Sequence, residues 1–325
     1  MNNQITPDAL FLVTGGAGFI GSNLCEALLA HGFRVRCLDN LSTGLMRNVE
    51  MFLSNPNYEF ISGDVCDFAT CMKACDSADY VLHQAASENV TQSLREPLLY
   101  THNNVLGTAN MLEAARQNGA KKFVYASSAA VYGEFNTLPN REDARACPSS
   151  PYAATKLINE IQARQYSSRF RLDTCGLRYF NVFGRKQNPN ADCPAVIPSF
   201  LKAMLRGKSP TIYGDGRQSR DFIFIDDVID ANIQACRIDS GISGEVFNIA
   251  NGRQITLLEV CEAINVLLGV ELDPKFVAAR DGDVKHSEAD IGKAHERLGF
   301  NPRHDFVAGL KLTIDWYRAD WKEWI

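Results

Sequence analysis

Residues 11–33 read FLVTGGAGFIGSNLCEALLAHGF. A short apolar run ends at a threonine, glycines stand at 15, 18 and 21, and an amphipathic segment follows at once. That order predicts a strand, a tight turn and a helix. In such a turn Gly15 permits the reversal, Gly18 lets the backbone approach a pyrophosphate, and Gly21 allows close helix–strand packing. A helix starting there also points free N–H groups at an anion. Glycines make ordinary turns too, and the spacing is GxxGxxG rather than GxGxxG. Context decides: Asp39 ends the next apolar run, in RCLDNLSTG. A carboxylate at that place accepts from ribose hydroxyls and repels a 2′-phosphate, which favours NAD over NADP. A strand-end aspartate also caps turns. Arg36 should point away from Asp39 by strand alternation. Asp64, at the end of the third run, suits an adenine contact.

Working outward, apolar runs recur at LFLVTG, RVRCLD, YEFISGD, DYVLHQAA, KKFVYASS and DTCGLRYF. Helical patterns separate them, the clearest over 105–118 with Val105, Ala109, Leu112 and Ala115 on one face. The runs are continuous rather than alternating, so both sheet faces are covered and the sheet is parallel and doubly wound. Beyond residue 180 loops lengthen and gain Pro, Asn and Gly, as in GRKQNPNADCPAVIP and IYGDGRQSRDF. The expectation is an α/β chain: a cofactor domain over 1–180, to which part of 220–250 returns, and a smaller α/β substrate domain over 181–325. A cleft should lie between them.

A length of 325 residues suits one large or two intermediate domains. The net charge of −5 leaves no electrostatic footprint for nucleic acid or an anionic membrane. No run approaches the ~18 apolar residues of a membrane span. MNNQITPDAL leads straight into a strand, with no room for a signal peptide. A cytoplasmic location is therefore expected, without membrane or nucleic-acid partners. Ten scattered cysteines read as reduced thiols. Cys71 and Cys75 lack a second pair, so no metal site is expected.

CPSSPYAATKLINE, residues 147–160, opens a helix with Ser150 as N-cap and Pro151 in the first turn. Tyr152 and Lys156 are then one turn apart on one face. A free phenol titrates near ~10 and is a poor base at neutrality. A neighbouring ammonium and an oxidised nicotinamide would stabilise the phenolate. Ser127 and Ser128, in YASSAAVYG, end the fifth strand, at the carboxyl edge where a doubly wound sheet holds its ligand.

Taken in order, TGGAGFIG, DNLSTG, HQAA, NNVLGT, YASSAAVYG, SPYAATK and LRYFNVFG resemble the extended short-chain dehydrogenase/reductase family, over nearly the whole chain. The resemblance implies a Rossmann-type domain in which Tyr152 is the base, Lys156 its tuner and ribose anchor, and Ser128 the substrate-facing hydroxyl. It further implies NAD contacts from Phe19, Ile20, Asn40, Ser42, Thr43, Gly44, Val65, Gln84, Ala85, Ala86, Asn104, Tyr179 and Val182, beside Gly15, Gly18, Gly21, Asp39 and Asp64.

In such enzymes the tyrosine takes a sugar hydroxyl proton while the carbon gives hydride to NAD. Dehydrating relatives carry Asp-Glu just after the serines, and decarboxylating ones a Glu. Here Ala129 and Ala130 stand there. Without an acid the 4-keto sugar can only turn and take its hydride back on the other face, which inverts C4.

The second half resembles the nucleotide-sugar domain of UDP-hexose 4-epimerases, nearest the branch acting on N-acetylated sugars. By position Asn181, Arg220 and Arg280 would hold the diphosphate, Asp283 a ribose hydroxyl, and Val196, Thr211 and Tyr213 would flank the uridine. Ser287 replaces a bulky tyrosine of glucose/galactose-restricted members and leaves space for an acetamido group. Ser127 either helps place the sugar or only shapes the strand end; the SENVTQS loop departs from the N-acetylhexosamine pattern and partly resembles the dehydratase branch, with Glu88 or Asn89 as a contact to the nicotinamide ribose or the sugar. Two alternatives stay open: a 4,6-dehydratase or UDP-glucuronate decarboxylase/epimerase, and a non-catalytic NAD-binding regulator. The family's pairing of two helices per subunit, here about 94–118 and 151–169, implies a homodimer.

Overall fold

The computed structural model describes residues 5–134, 137–191, 194–238, 241–279 and 285–319. Arg280 and Asp283 lie outside the described residues.

All six apolar runs form strands. The chain runs β1 (Leu10–Thr14), α1 (Phe19–Ala30), β2 (Arg34–Asp39), β3 (Tyr58–Ser62), α2 (Phe68–Cys75) and β4 (Tyr80–His83). It continues through α3 (Val90–Arg95), α4 (Pro97–Tyr100), a π-helical turn (Thr101–Leu106), α5 (Gly107–Gln117), β5 (Lys122–Ser128), α6 (Pro151–Phe170) and β6 (Thr174–Tyr179). Next come β7 (Asn181–Phe183), α7 (Val196–Met204), β8 (Thr211–Tyr213), β9 (Ser219–Phe224), α8 (Ile225–Arg237) and β10 (Glu245–Ile249). The last elements are β11 (Gln254–Thr256), α9 (Leu257–Leu268), β12 (Lys275–Val277), α10 (Gly292–Leu298) and α11 (Phe306–Ala319).

The central sheet has seven strands, ordered β3-β2-β1-β4-β5-β6-β10 and parallel throughout. This is a Rossmann-type sheet, and its order reverses between β1 and β4, the place where such sheets bind ligands. Alternation along β1 explains the continuous hydrophobicity. Phe11 and Val13 pack with Leu24 and Leu28 of α1 and Ile233 of α8, whereas Leu10 and Leu12 pack with Cys71 of α2 and Met111 and Ala115 of α5. Each Phe, Leu, Ile, Val or Met side chain so buried contributes roughly 1.5–3 kcal/mol. Beyond the sheet, β7, β9 and β11 form a three-stranded sheet, and β8 pairs with β12.

Two helices need comment. Ser150 caps α6 by accepting the Ala153 N–H at 3.2 Å, with Pro151 in the first turn. On α5 the buried face is Gly107, Thr108, Met111, Leu112, Ala114 and Ala115, while Val105 and Ala109 are only half-buried. The expected single stripe is thus two: one docks on the sheet, and the other stays open beside Leu98 and Leu106.

Candidate active site

The glycine turn is as tight as its sequence demands. Gly15 has φ +64°, and a Cβ there would stand 2.8 Å from the Ala85 backbone. A Cβ on Gly21 would stand 2.1 Å from the Gly15 carbonyl oxygen. α1 starts after Gly18 with no side-chain cap, which leaves its first N–H groups to an anion. Phe19 and Ile20 lie half-buried in this first turn.

Asp39 ends β2 with both oxygens engaged: Oδ2 accepts from Ala17 N–H at 2.9 Å and Oδ1 from Leu41 N–H at 2.7 Å. Burial raises its pKa, and those two bonds oppose the rise. A carboxylate has roughly four acceptor positions, so two remain for a diol. Asp39 is therefore both a brace and an open acceptor. Gly44 covers it, since a Cβ there would meet its carboxylate at 2.8 Å. Arg36 turns away to Glu59 at 2.6 Å. Asn40 donates to Asp64 at 2.9 Å and accepts from Ser42 N–H, with Ser42 and Thr43 exposed. Burial acts upward on Asp64, but hydrogen bonds from Cys66 and Asn40 outweigh it and its pKa is lowered. Val65 packs where Gly107 leaves room.

These residues fit a dinucleotide: a cradle no Cβ could share, an uncapped helix start and a strand-end acid. Ala85, Ala86 and Gln84 leave β4 beside that cradle, with Ala85 N–H on Thr14 Oγ1 at 3.2 Å. Asn104 departs from a plain cofactor contact. Its amide gives one proton to Ser87 O at 2.9 Å and one to Thr155 Oγ1 at 3.0 Å, so it has no N–H left to offer. Tyr179 donates to Asn232 at 3.1 Å and meets Gln84, while Val182 is half-buried in β7.

At the end of β5 the two serines part. Ser128 Oγ accepts the Ala130 N–H at 3.2 Å, and the Ser128 hydroxyl acts to lower the Tyr152 phenol. Ser127 is buried and donates to Glu160 at 2.6 Å, which overturns its reading as a sugar contact. Adjacent strand residues face opposite sides, so only one of the pair can address the cleft. Lys156 lies 5.9 Å from the Tyr152 ring centroid and donates to Ala126 O at 2.9 Å. Burial lowers its pKa to about 8, with Glu88 opposing. Burial also raises the Tyr152 phenol, and the bond to Ser128 works against that.

On the substrate side, Asn181 and Thr211 are exposed, Tyr213 is exposed on β8, and Val196 is half-buried at the start of α7. Arg220 donates to Ser219 O at 2.9 Å and Lys285 O at 3.3 Å, gripping the segment that carries Ser287. Ser287 is buried, its N–H on Ser219 O at 3.2 Å. Asn89 caps α3 by accepting Gln92 N–H at 2.9 Å, which accounts for its side-chain oxygen without a sugar. Among the described residues no group of three His, Cys, Asp or Glu could hold a metal ion.

Sequence reading missed a buried network behind the serines. Glu160 holds Arg178 at 2.8 and 2.7 Å, Arg178 reaches Tyr132 at 2.9 Å, and Tyr132 donates to Asn248 at 2.6 Å. Asn248 then donates to Asn140 O and Asp290 O, near Ser287. The only sequence signal was a charge inside an apolar run, Arg178 in LRYF, and a Glu one turn beyond Lys156.

The NAD dependent epimerase/dehydratase family matches residues 11–250. A UDP-glucose 4-epimerase of Mycolicibacterium smegmatis is 36% identical, over 94% of this chain and 98% of that one. The structure of a UDP-N-acetylglucosamine 4-epimerase from Methanobrevibacter ruminantium, in complex with UDP-N-acetylmuramic acid, superposes with TM-score 0.90 and 40% identity, covering 96% of this chain and 99% of that one. A dTDP-glucose 4,6-dehydratase from Streptomyces venezuelae with NAD bound gives TM-score 0.89 and 31% identity, covering 97% and 98%. With a matching family over most of its length, the fold to go with it and a fitting cradle, this chain belongs to the NAD-dependent epimerase/dehydratase family of extended short-chain dehydrogenases/reductases.

Proposed function

We propose that the protein is a UDP-sugar 4-epimerase that interconverts UDP-N-acetylglucosamine and UDP-N-acetylgalactosamine, with UDP-glucose and UDP-galactose as further substrates. One observation carries the reading: Ser128 ends β5 at the carboxyl edge of the sheet, across from the start of the helix that bears Tyr152, and the next two side chains, Ala129 and Ala130, hold no acid. Glu134, the next acid, is exposed. Expelling a C6 hydroxyl needs an acid–base pair that this stretch lacks. NAD, when bound, supplies hydride acceptance and return. Tyr152 takes the C4 hydroxyl proton and gives it back, Ser128 orients that hydroxyl, and Lys156 keeps positive charge beside the phenol. Uridine diphosphate binding is assigned to Asn181, Val196, Thr211, Tyr213 and Arg220, and the space for the acetamido group to Ser287. Residues 1–180 with β10 form the cofactor unit, and 181–325 the substrate unit.

The protein is proposed to act in the cytoplasm as a homodimer. Leu98 is 84% exposed and lines an open apolar hollow with Val105, Leu106 and Ala109, and Ile161 on α6 is 53% exposed. No helix among the described residues is long and apolar enough to cross a membrane. Leu98→Asp should halve the mass measured by light scattering.

The deciding experiment incubates the purified protein with UDP-N-acetylglucosamine and follows the sugar by NMR. The C4 epimer is expected. A stable 4-keto-6-deoxy product, or carbon dioxide from UDP-glucuronate, would overturn the assignment.

A further inference from the structure

Residues 285–290 carry Ser287, and every one of them is fastened to the rest of the fold. Backbone bonds do part of this. Ser219 N–H donates to Lys285 O at 2.9 Å, and Ser219 O accepts from Ser287 N–H at 3.2 Å. Asn140 N–H donates to Glu288 O at 2.8 Å, and Asn140 O accepts from Asp290 N–H at 2.9 Å. Ala289 N–H goes instead to a side chain, Asp221 Oδ2 on β9, at 3.1 Å. The same oxygen accepts Gly252 N–H at 3.0 Å, and Oδ1 accepts Asn251 N–H at 2.9 Å. Gly252 has φ +75°, a left-handed turn that lets successive N–H groups face one carboxylate. Three backbone N–H groups from two separate segments thus meet on one fully buried carboxylate. Burial pushes this carboxyl up to about 7, and the three bonds pull it back toward ionisation.

A second side chain holds the same segment. Gln254 on β11 donates from Nε2 to Glu288 at 2.6 Å, so its Oε1 is the atom that faces Ser219. An amide oxygen only accepts. The Ser219 hydroxyl therefore gives its proton to Gln254 at 2.5 Å and accepts one from His286 Nδ1 at 2.8 Å. Both chain neighbours of Ser287 are thereby tied to one pair, Ser219 and Gln254. Arg220, between Ser219 and Asp221, faces the other side of β9 by strand alternation. Its backbone is set by pairing with Ile255 of β11, without help from the Asp221 side chain. We propose that Asp221 is a positioning residue for substrate selection, with Gln254 as its partner: the two hold the Ser287 segment in fixed register with Arg220, so that the sugar pocket is built relative to the diphosphate grip. The proposal rests on reading Arg220 and Ser287 as diphosphate and sugar contacts. Asp221 and Gln254 act through the backbone on either side of Ser287, not on the substrate. Hydrogen bonds to an ionised acceptor are about twice as strong as neutral ones, and here they are applied two residues from Ser287.

The test compares two ligands on the full-length, NAD-loaded protein at pH 8, in a Tyr152→Phe background so that no turnover intervenes. Calorimetry reads the affinity for UDP, which lacks the sugar, and for UDP-N-acetylglucosamine. Asp221→Asn keeps the shape but turns an amide NH₂ toward a backbone N–H. It should weaken UDP-N-acetylglucosamine by about tenfold and leave UDP within about twofold. Gln254→Ala, at a half-buried strand position, removes no buried charge and should weaken the sugar nucleotide by about threefold, with UDP again within about twofold. A folded variant that loses affinity for both ligands in parallel, or for neither, would overturn the proposal, because a general loosening of the fold does not select the sugar. If Asp221→Asn does not fold, the Gln254→Ala titrations decide alone. The parent protein is titrated first: if it binds UDP no less tightly than UDP-N-acetylglucosamine, the substrate reading falls and this proposal with it. If the parent prefers the sugar nucleotide and the variants keep that preference, only the role of Asp221 falls.

Discussion

Ser127 and Glu160 are joined by a buried 2.6 Å hydrogen bond that ties the strand bearing Ser128 to the helix bearing Tyr152 and Lys156. Glu160 is also gripped by Arg178, their side chains only 2% and 5% exposed. From Arg178 the chain of bonds passes through Tyr132 and Asn248 to the segment carrying Ser287. The end of β5, the helix bearing Tyr152 and Lys156, and the segment carrying Ser287 thus share one buried scaffold.

Breaking that pair should be costly because the remaining charge is left without a partner. Arg178→Met is expected to lower the unfolding free energy by about 3–5 kcal/mol, measured by urea denaturation. Replacing Glu160 by Met as well should recover part of the loss. A change below about 1 kcal/mol would place the pair with weak surface bridges instead.

The two serines should separate cleanly. Ser128→Ala removes the hydroxyl assigned to orient the sugar's C4 hydroxyl and should lower kcat by about 10²-fold or more. Ser127→Ala removes only a donor to Glu160, which Arg178 still holds, and should cost about 1 kcal/mol of stability with turnover kept within a few-fold. Equal losses of turnover would contradict this division.

Tyr152→Phe leaves the glycine cradle and Asp39 untouched. Turnover should fall by at least about 10²-fold while NAD is bound as before, read by isothermal titration calorimetry. Undiminished turnover would remove Tyr152 as the base.

Ser287 is buried, its backbone N–H held by Ser219 O, so a tyrosine there needs room that the serine side chain does not take up. Ser287→Tyr should selectively depress kcat/KM for UDP-N-acetylglucosamine relative to UDP-glucose, by about tenfold or more. Equal depression of both substrates would refute a size gate at this position.

His83 gives a pH dependence of stability. Its ring is buried between Thr14 at 2.7 Å and Thr108 at 3.1 Å, and burial lowers its pKa to about 3. The unfolded chain titrates this group near ~6.5. Between these values the unfolded state binds more protons, so stability is full above the unfolded pKa and is lost as pH falls toward 3. Each unit of pH in that window should cost about 1.4 kcal/mol from this residue. His83→Gln should flatten the denaturation midpoint between pH 6.5 and 5 relative to the unsubstituted protein.

The parts legible in sequence were those set by neighbours along the chain. The six strands follow from runs of apolar residues, the Gly15–Gly21 turn from local steric demands, and the Tyr152–Lys156 face from helical spacing after the Ser150 cap. What tertiary structure decided depends on residues far apart in sequence. Strand β10 takes the seventh place in the sheet beside β6. Ser127 turns inward to Glu160 while Ser128 turns to Tyr152. Asn104 clamps the Glu88 loop to α6 instead of offering its amide to a cofactor, and α5 buries Met111 while leaving Val105 and Ala109 open. Hydrophobic period and capping are short-range and can be read from one chain. The partner of a buried hydroxyl, amide or charge is chosen by whichever distant group the packed sheet brings within hydrogen-bonding distance, because burial forbids leaving it unpaired.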